Sequence, residues 1–102
     1  MNMNKGRAMD ETRAQAVADG FKVFGDKTRI RILFCLQDSE KCVEEISESV
    51  GMEQSAVSHQ LRILKDARLI GVRKEGRYSY YFLKDEHVST ILKMGLEHAA
   101  EV

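Results

Sequence analysis

The sequence contains no proline, no internal repeat and no low-complexity tract, and it has only two cysteines among its 102 residues. Two cysteines do not form the disulfide framework of a small secreted domain. Apolar residues make up 43% of the chain, yet no apolar run is long enough to span a membrane. The polar start of the chain has no hydrophobic signal segment. We therefore expect one soluble, cytoplasmic domain, residues 11–102, preceded by a mobile arm, residues 1–10.

The chain also has no net charge, because it contains 16 basic and 16 acidic residues. The distribution is nevertheless uneven. Residues 36–53 contain six acids and one base, whereas residues 59–78 contain six bases and two acids. A local basic segment can meet phosphate whatever the total charge of the chain. Because neither a nucleophile–base pair nor a phosphate-binding loop accompanies it, the sequence indicates nucleic-acid binding and not catalysis.

Helical spacing of apolar residues predicts four helices in the first two thirds of the chain, over residues 11–24, 26–37, 43–50 and 55–67. Gly25 ends the first helix and Asp26 caps the second. The inner face of the second helix is predicted to carry Ile30, Leu33 and Leu36, and Phe34 is also expected to pack. The buried side of the fourth helix is predicted to carry Val57, Leu61 and Leu64.

A glycine turn at Gly51 separates the third and fourth helices, which is the helix-turn-helix pattern. The outward face of the fourth helix carries side chains suited to base edges and phosphates, namely Gln54, Ser55, Ser58, His59 and Arg62. Two predicted strands, residues 69–74 and 78–83, follow around a turn. A basic hairpin after a helix-turn-helix is a wing, and this one offers three bases for phosphate or minor-groove contact: Arg73, Lys74 and Arg77.

The last segment, residues 85–101, is predicted to be a helix in which His87 and His98 share one face but lie about 16 Å apart along the axis. Between two antiparallel copies, facing residue numbers have a constant sum. Asp85 with Glu101 gives 186 and His87 with His98 gives 185, so one register about a twofold axis forms two equal sites. Two nitrogens and two carboxylates suit tetrahedral zinc or cobalt. A solvated helix with two incidental histidines is the alternative that this spacing leaves open.

Together these motifs resemble the ArsR/SmtB family of metal-sensing repressors over about residues 21–101. The resemblance is carried by Cys42-Val43-Glu44-Glu45-Ile46, by Gln54-Ser55-Ala56-Val57-Ser58-His59-Gln60-Leu61-Arg62-Ile63-Leu64, by Lys74-Glu75-Gly76-Arg77, and by Asp85-Glu86-His87 with His98 and Glu101. It implies a mainly α fold with one β-hairpin, the winged helix-turn-helix, as an obligate homodimer. Such a dimer binds inverted-repeat operator DNA when metal-free and releases it when zinc binds between the terminal helices; cobalt, nickel or cadmium are further candidates.

The resemblance also implies an allosteric link. The ring nitrogen of His98 that does not bind metal would donate a hydrogen bond to a backbone carbonyl near Arg68, at the end of the recognition helix. A metal-bound imidazole presents its other nitrogen as a donor, so this link agrees with the chemistry.

One departure from the family pattern keeps a rival function open. Cys42 stands where cadmium- and lead-sensing members have a thiolate ligand, but Glu44 follows it in place of a second cysteine. The rival is a thiol-redox or arsenical sensor on the same scaffold, using Cys35 and Cys42. A winged helix that binds only other proteins is a third hypothesis, and it predicts no steep salt dependence with duplex DNA.

Overall fold

The computed structural model describes residues 8–100, and within them it confirms the predicted order of helices and strands. The elements are α1 (Glu11–Phe24), α2 (Lys27–Cys35), α3 (Val43–Val50), α4 (Gln54–Asp66), β1 (Ile70–Glu75), β2 (Tyr78–Leu83) and α5 (Glu86–Ala100). The predicted second helix extends two residues beyond the end of α2, and α4 begins one residue before the predicted start. Most of the predicted N-terminal arm, residues 1–7, lies outside the described residues, as does Glu101.

An aspartate precedes each of α1, α2 and α5, and its carboxylate accepts hydrogen bonds from backbone amides that have no partner within the helix. The Asp10 carboxylate accepts from the amide of Arg13 at 2.7 Å, and that of Asp26 accepts from the amide of Arg29 at 3.0 Å. Gly51 ends α3 with a φ of 70°, a left-handed conformation that glycine adopts without steric cost. This turn reverses the chain between the two helices of the helix-turn-helix.

The core forms where α2, α3, α4, β1 and α5 meet. Its fully buried side chains are Ile32, Leu33, Ile46, Val57, Leu61, Leu64 and Ile70. The predicted inner face of α4 is confirmed, since all three of its buried residues lie in this core. The prediction for α2 is wrong at Ile30, which is 41% exposed, and at Phe34, which is 46% exposed. Both side chains lie on a surface that the single chain leaves open.

That open surface belongs mainly to α1 and α5. In the described chain α1 has no buried side chain, and Phe21 is 58% exposed. On α5 only Val88 and Leu92 are buried, whereas Met94 is 64% exposed. An apolar groove of about 660 Å³ runs beside α5 and is lined by, among others, Phe24, Phe34 and Leu96. A contiguous apolar surface of this kind marks a binding face.

The wing is an antiparallel hairpin whose strands pair from Ile70 opposite Leu83 to Glu75 opposite Tyr78. Gly76 opens its two-residue turn with a φ of 63°. At the base of the hairpin, Lys41 exchanges two backbone hydrogen bonds with Tyr81, of 3.1 and 2.8 Å, and so adds a one-residue third strand. Across the described residues, no helix combines the length and hydropathy needed to cross a membrane.

Candidate DNA-binding face and metal site

The outward face of α4 is available to a ligand along its whole length. The buried residues of α4 are Val57, Leu61 and Leu64. All five residues predicted to contact DNA from this helix are exposed, namely Gln54, Ser55, Ser58, His59 and Arg62. The side chains are short hydroxyls and an amide, an imidazole and a guanidinium. They form a polar, hydrogen-bonding surface on a rigid helix, which is the form in which a major groove is read.

Arg29 connects this helix to the end of α1, a role that was not predicted from the sequence. Its Nε donates to the carbonyl of Val23 at 2.9 Å, and its Nη1 donates to Oε1 of Gln60 at 3.3 Å. One guanidinium therefore joins the end of α1 to α4. The sequence shows only that an arginine lies among the apolar residues of α2. It does not indicate which residues the guanidinium contacts.

The three bases of the wing have different surroundings. No carboxylate among residues 8–100 pairs with Lys74 or Arg77, and both side chains are exposed near the turn. Arg73, in contrast, contacts two carboxylates, with Nη2 2.7 Å from Glu40 and Nη1 2.6 Å from Glu75. The hydrogen bonds from Glu40 and then Glu75 hold the pKa of Arg73 above its usual range.

The recognition helix ends in a backbone arrangement that fixes Arg68. The amide of Arg68 donates to the carbonyl of Lys65 at 2.9 Å, and the amide of Leu69 donates to that of Leu64 at 3.0 Å. This pair of bonds is the Schellman motif, and Arg68 takes its left-handed position with a φ of 64°. The segment predicted to accept a hydrogen bond from His98 is therefore a rigid joint between α4 and β1.

Two of the predicted metal ligands lie together at the start of α5. Nδ1 of His87 is 3.4 Å from Oδ1 of Asp85, with the side chains 91% and 50% exposed. Oδ1 of Asp85 also accepts the amide of His87 at 2.9 Å. The third ligand, His98, is exposed near the other end of the helix, and the fourth, Glu101, lies outside the described residues. Within residues 8–100 of one chain, no group of three or more potential ligands comes together.

The two thiols have separate environments. Cys35 is half-buried beside the apolar groove, whereas Cys42 is buried at the residue that precedes α3. Burial raises the pKa of Cys35, against a smaller opposing influence of Lys41. A thiol with a raised pKa is mostly protonated at neutral pH and is a poor nucleophile and metal ligand.

A helix-turn-helix with an exposed polar recognition helix, followed by a hairpin with basic residues at its tip, defines a winged helix-turn-helix DNA-binding protein. A profile of the family described as "Bacterial regulatory protein, arsR family" matches residues 26–72. The transcriptional repressor SmtB homolog of Synechocystis sp. is 38% identical over 93 residues, which is 91% of this chain and 70% of that protein. The cadmium resistance regulatory protein CadC homolog of Staphylococcus aureus is 37% identical over 87 residues, covering 84% and 72%.

A solved structure agrees with these sequence relatives. The homodimeric winged helix-turn-helix DNA-binding domain from Mycobacterium bovis, described as a possible ArsR-family regulator, matches with a TM-score of 0.81 at 28% identity, over 93% of this chain and 91% of that one. The chain belongs to the ArsR family of bacterial regulatory proteins. The predicted family and fold are thereby confirmed, and the protein is a DNA-binding transcription regulator and not an enzyme.

Proposed function

We propose that the protein is a homodimeric, metal-responsive repressor that binds operator DNA when metal-free and releases it when zinc, or a similar divalent ion, binds between two α5 helices. The observation that carries this proposal is the arrangement of α5. Two potential ligands lie 3.4 Å apart at its start, and a second histidine lies near its end. Because operator DNA lies in the cytoplasm, we expect the protein there.

The apolar residues of α5 support pairing of two helices. Ile91 is 38% exposed and Met94 is 64% exposed, and helical spacing places both between the two histidines on the same face. In the register that pairs His87 with His98, Ile91 of one chain lies opposite the partner's Met94. The packing that buries these side chains therefore also brings the ligands together.

The donor set fits a small divalent ion. Asp85 uses Oδ1 to accept the amides at the start of α5, and Oδ2 accepts no hydrogen bond from another described residue. His87 and His98 would each supply a ring nitrogen, and Glu101 would supply a second carboxylate. Bound there, the ion would cross-link the two chains through two nitrogens and two carboxylates, a donor set that zinc accepts.

Two groups of this chain would relay the bound state to DNA. His98 would use one ring nitrogen as a ligand and donate from the other to the carbonyl near Arg68. That carbonyl belongs to the joint at the end of α4, so its position bears on the orientation of the recognition helix. In this proposal the metal-bound dimer holds its two recognition helices at a spacing or rigidity that fits the operator poorly.

The rival thiol sensor has weaker support. Cys42 is buried, the pKa of Cys35 is raised by burial, and Cys35 lines the apolar groove. The raised pKa of Cys35 reduces its thiolate character, and burial limits the access of an oxidant or a soft metal to Cys42. Loss of operator binding on oxidation of a zinc-free protein with His98 substituted would favour this rival.

The test is operator affinity with and without saturating zinc. Linkage requires zinc and operator DNA to weaken each other's binding by the same factor. The corresponding coupling free energy is typically about 1–3 kcal/mol. Methylation of the second nitrogen of His98 should leave zinc bound and remove much of this coupling. His59→Ala is the matched control, because His59 should matter for DNA and not for zinc. Unchanged zinc-dependent release by the methylated protein would show that the coupling does not pass through His98.

A further inference from the structure

The base of the wing carries an ion-pair network that joins it to the body of the domain. Nε and Nη2 of Arg73 both reach Oε1 of Glu40, at 3.0 and 2.7 Å, across 33 positions of sequence. Nη1 reaches Glu75 in the same hairpin at 2.6 Å, and the guanidinium lies 5.1 Å from the ring centre of Tyr80. Of these interactions, the one with Glu40 connects the wing to the rest of the domain.

Glu40 lies in a loop that several hydrogen bonds attach to the body of the domain, so its carboxylate has a fixed position. Nζ of Lys41 donates to the carbonyl of Cys35 at 2.6 Å and to the hydroxyl of Ser39 at 3.1 Å. The side-chain amide of Gln37 donates to the carbonyl of Ser89 at 3.3 Å, which attaches the same loop to α5. The carboxylate of Glu40 therefore sits on a segment held at several points by the body of the domain.

The position of Arg73 in the hairpin gives this ion pair its effect. Lys41 pairs with Tyr81, and Tyr81 lies opposite Val72. Arg73 lies opposite Tyr80, so it is the first residue of β1 beyond the last backbone support. From there to the turn the wing is a two-stranded ribbon, which is only marginally stable by itself. A side-chain ion pair at this point fixes the angle at which the ribbon leaves the domain.

We propose that Arg73 is a positioning residue that braces the wing against Glu40, and that it does not contact DNA phosphate directly. Two carboxylates already neutralise its charge, and together the three groups carry a net negative charge. Strand alternation also separates the roles of the bases, because Lys74 points to the opposite face of the hairpin from Arg73. The phosphate contacts of the wing would then come from Lys74 and Arg77. This inference rests on DNA binding and is independent of the metal response.

The two roles predict opposite effects for the neutral variant Glu40→Gln. If Arg73 contacts phosphate, loss of Glu40 removes a competing anion and strengthens binding. If Arg73 is a brace, loss of Glu40 frees the wing and weakens binding. Glu75→Gln is the matched control. It also removes one negative charge that pairs with the guanidinium of Arg73, but it leaves the ion pair between Arg73 and Glu40 intact.

The experiment measures binding of the metal-free dimer to a duplex selected from a random pool by the wild-type protein, over a range of salt concentrations. We expect Glu40→Gln and Arg73→Gln each to weaken binding by roughly threefold to tenfold relative to Glu75→Gln. This magnitude corresponds to the loss of one surface ion pair in each of the two chains of the dimer. The double variant should bind no more weakly than either single one, and the salt slope of each variant should match that of Glu75→Gln.

Two results would overturn the proposal. Binding by Glu40→Gln as tight as that by Glu75→Gln, or tighter, would show that the ion pair with the body of the domain does not position the wing. A fall in the salt slope of about one for each copy of Arg73 replaced by glutamine would identify a direct phosphate contact. Because all three substituted residues are exposed, unfolding of a variant is not expected, and a thermal melt of each variant would check this.

Discussion

Replacing Arg68 with glycine should stabilise the protein, because Arg68 is a non-glycine residue held in the left-handed region at a φ of 64°. For residues with a side chain this conformation costs about 1–2 kcal/mol relative to the right-handed one. Glycine avoids that cost but loses about 0.5–1 kcal/mol more on folding through its greater freedom in the unfolded chain. Taken at the middle of both ranges, the difference predicts a gain of about 0.75 kcal/mol in the free energy of unfolding.

Thermal unfolding measures this effect directly. For a domain of this size the gain corresponds to a rise in Tm of roughly 3–6 °C. The comparison must use one protein concentration, because the stability of a dimer depends on the concentration of its chains. The Schellman hydrogen bonds involve only backbone atoms, so the glycine variant keeps them.

Two control variants separate backbone strain from other causes. Arg68→Ala removes the same charged side chain but keeps a Cβ in the left-handed region, so it should give little or no rise in Tm. Gly51→Ala places a Cβ at a φ of 70° in open space and should lower stability by about 1 kcal/mol. If Arg68→Ala raised Tm as much as Arg68→Gly, the gain would come from removing the charged side chain and not from relief of backbone strain.

Three further predictions concern DNA and metal. Ser58→Ala and His59→Ala should each weaken binding to the selected duplex by about 1–3 kcal/mol and leave binding to unrelated duplexes nearly unchanged; equal reductions on both duplexes would contradict base reading by α4. Arg77→Ala should weaken binding to all duplexes alike and lower the salt slope by about one for each phosphate that the arginine neutralises, which a titration over salt concentration would check. Cobalt should bind at two equivalents per dimer with the visible absorption of a tetrahedral oxygen–nitrogen site; a strong sulfur-to-metal band that Cys42→Ser removes would restore the thiolate hypothesis.

The helices and strands were predictable because each depends on a local signal. Helical spacing located the buried residues of α4, and Gly51 and Asp26 marked the ends of elements through backbone geometry. The same spacing misplaced Ile30 and Phe34, which are 41% and 46% exposed. An amphipathic pattern shows that a face is apolar, but it does not distinguish a face that packs in the core from one that a second molecule covers.

Features that depend on tertiary structure were not predictable from sequence. The pairing of Arg73 with Glu40 spans 33 positions, and no local pattern indicates which of six nearby acids a wing arginine will meet. The left-handed conformation of Arg68 was equally hidden, since glycine or asparagine usually marks such a position. The proposed metal site has a different difficulty: its ligands would belong to two chains, so a single chain would contain only half of each site.

Asp85 has a structural role in the fold as well as its proposed role as a metal ligand, and a test of the proposed site must separate the two. Its Oδ1 accepts the amide of His87 at 2.9 Å and that of Val88 at 3.4 Å, so the same carboxylate begins α5 and would bind the ion. Removing it with alanine would fray the helix that carries His87 and the dimer surface. A loss of zinc binding in Asp85→Ala would then have two explanations.

Asparagine separates them, because it caps helices about as well as aspartate but lacks the negative charge. Asp85→Asn should therefore keep the stability of the metal-free protein within about 0.5 kcal/mol of wild type while zinc binds much more weakly. Retention of full zinc affinity by Asp85→Asn, together with its loss in Asp85→Ala, would show that Asp85 serves the helix alone. The ligand set would then have to be completed by another carboxylate near the start of α5.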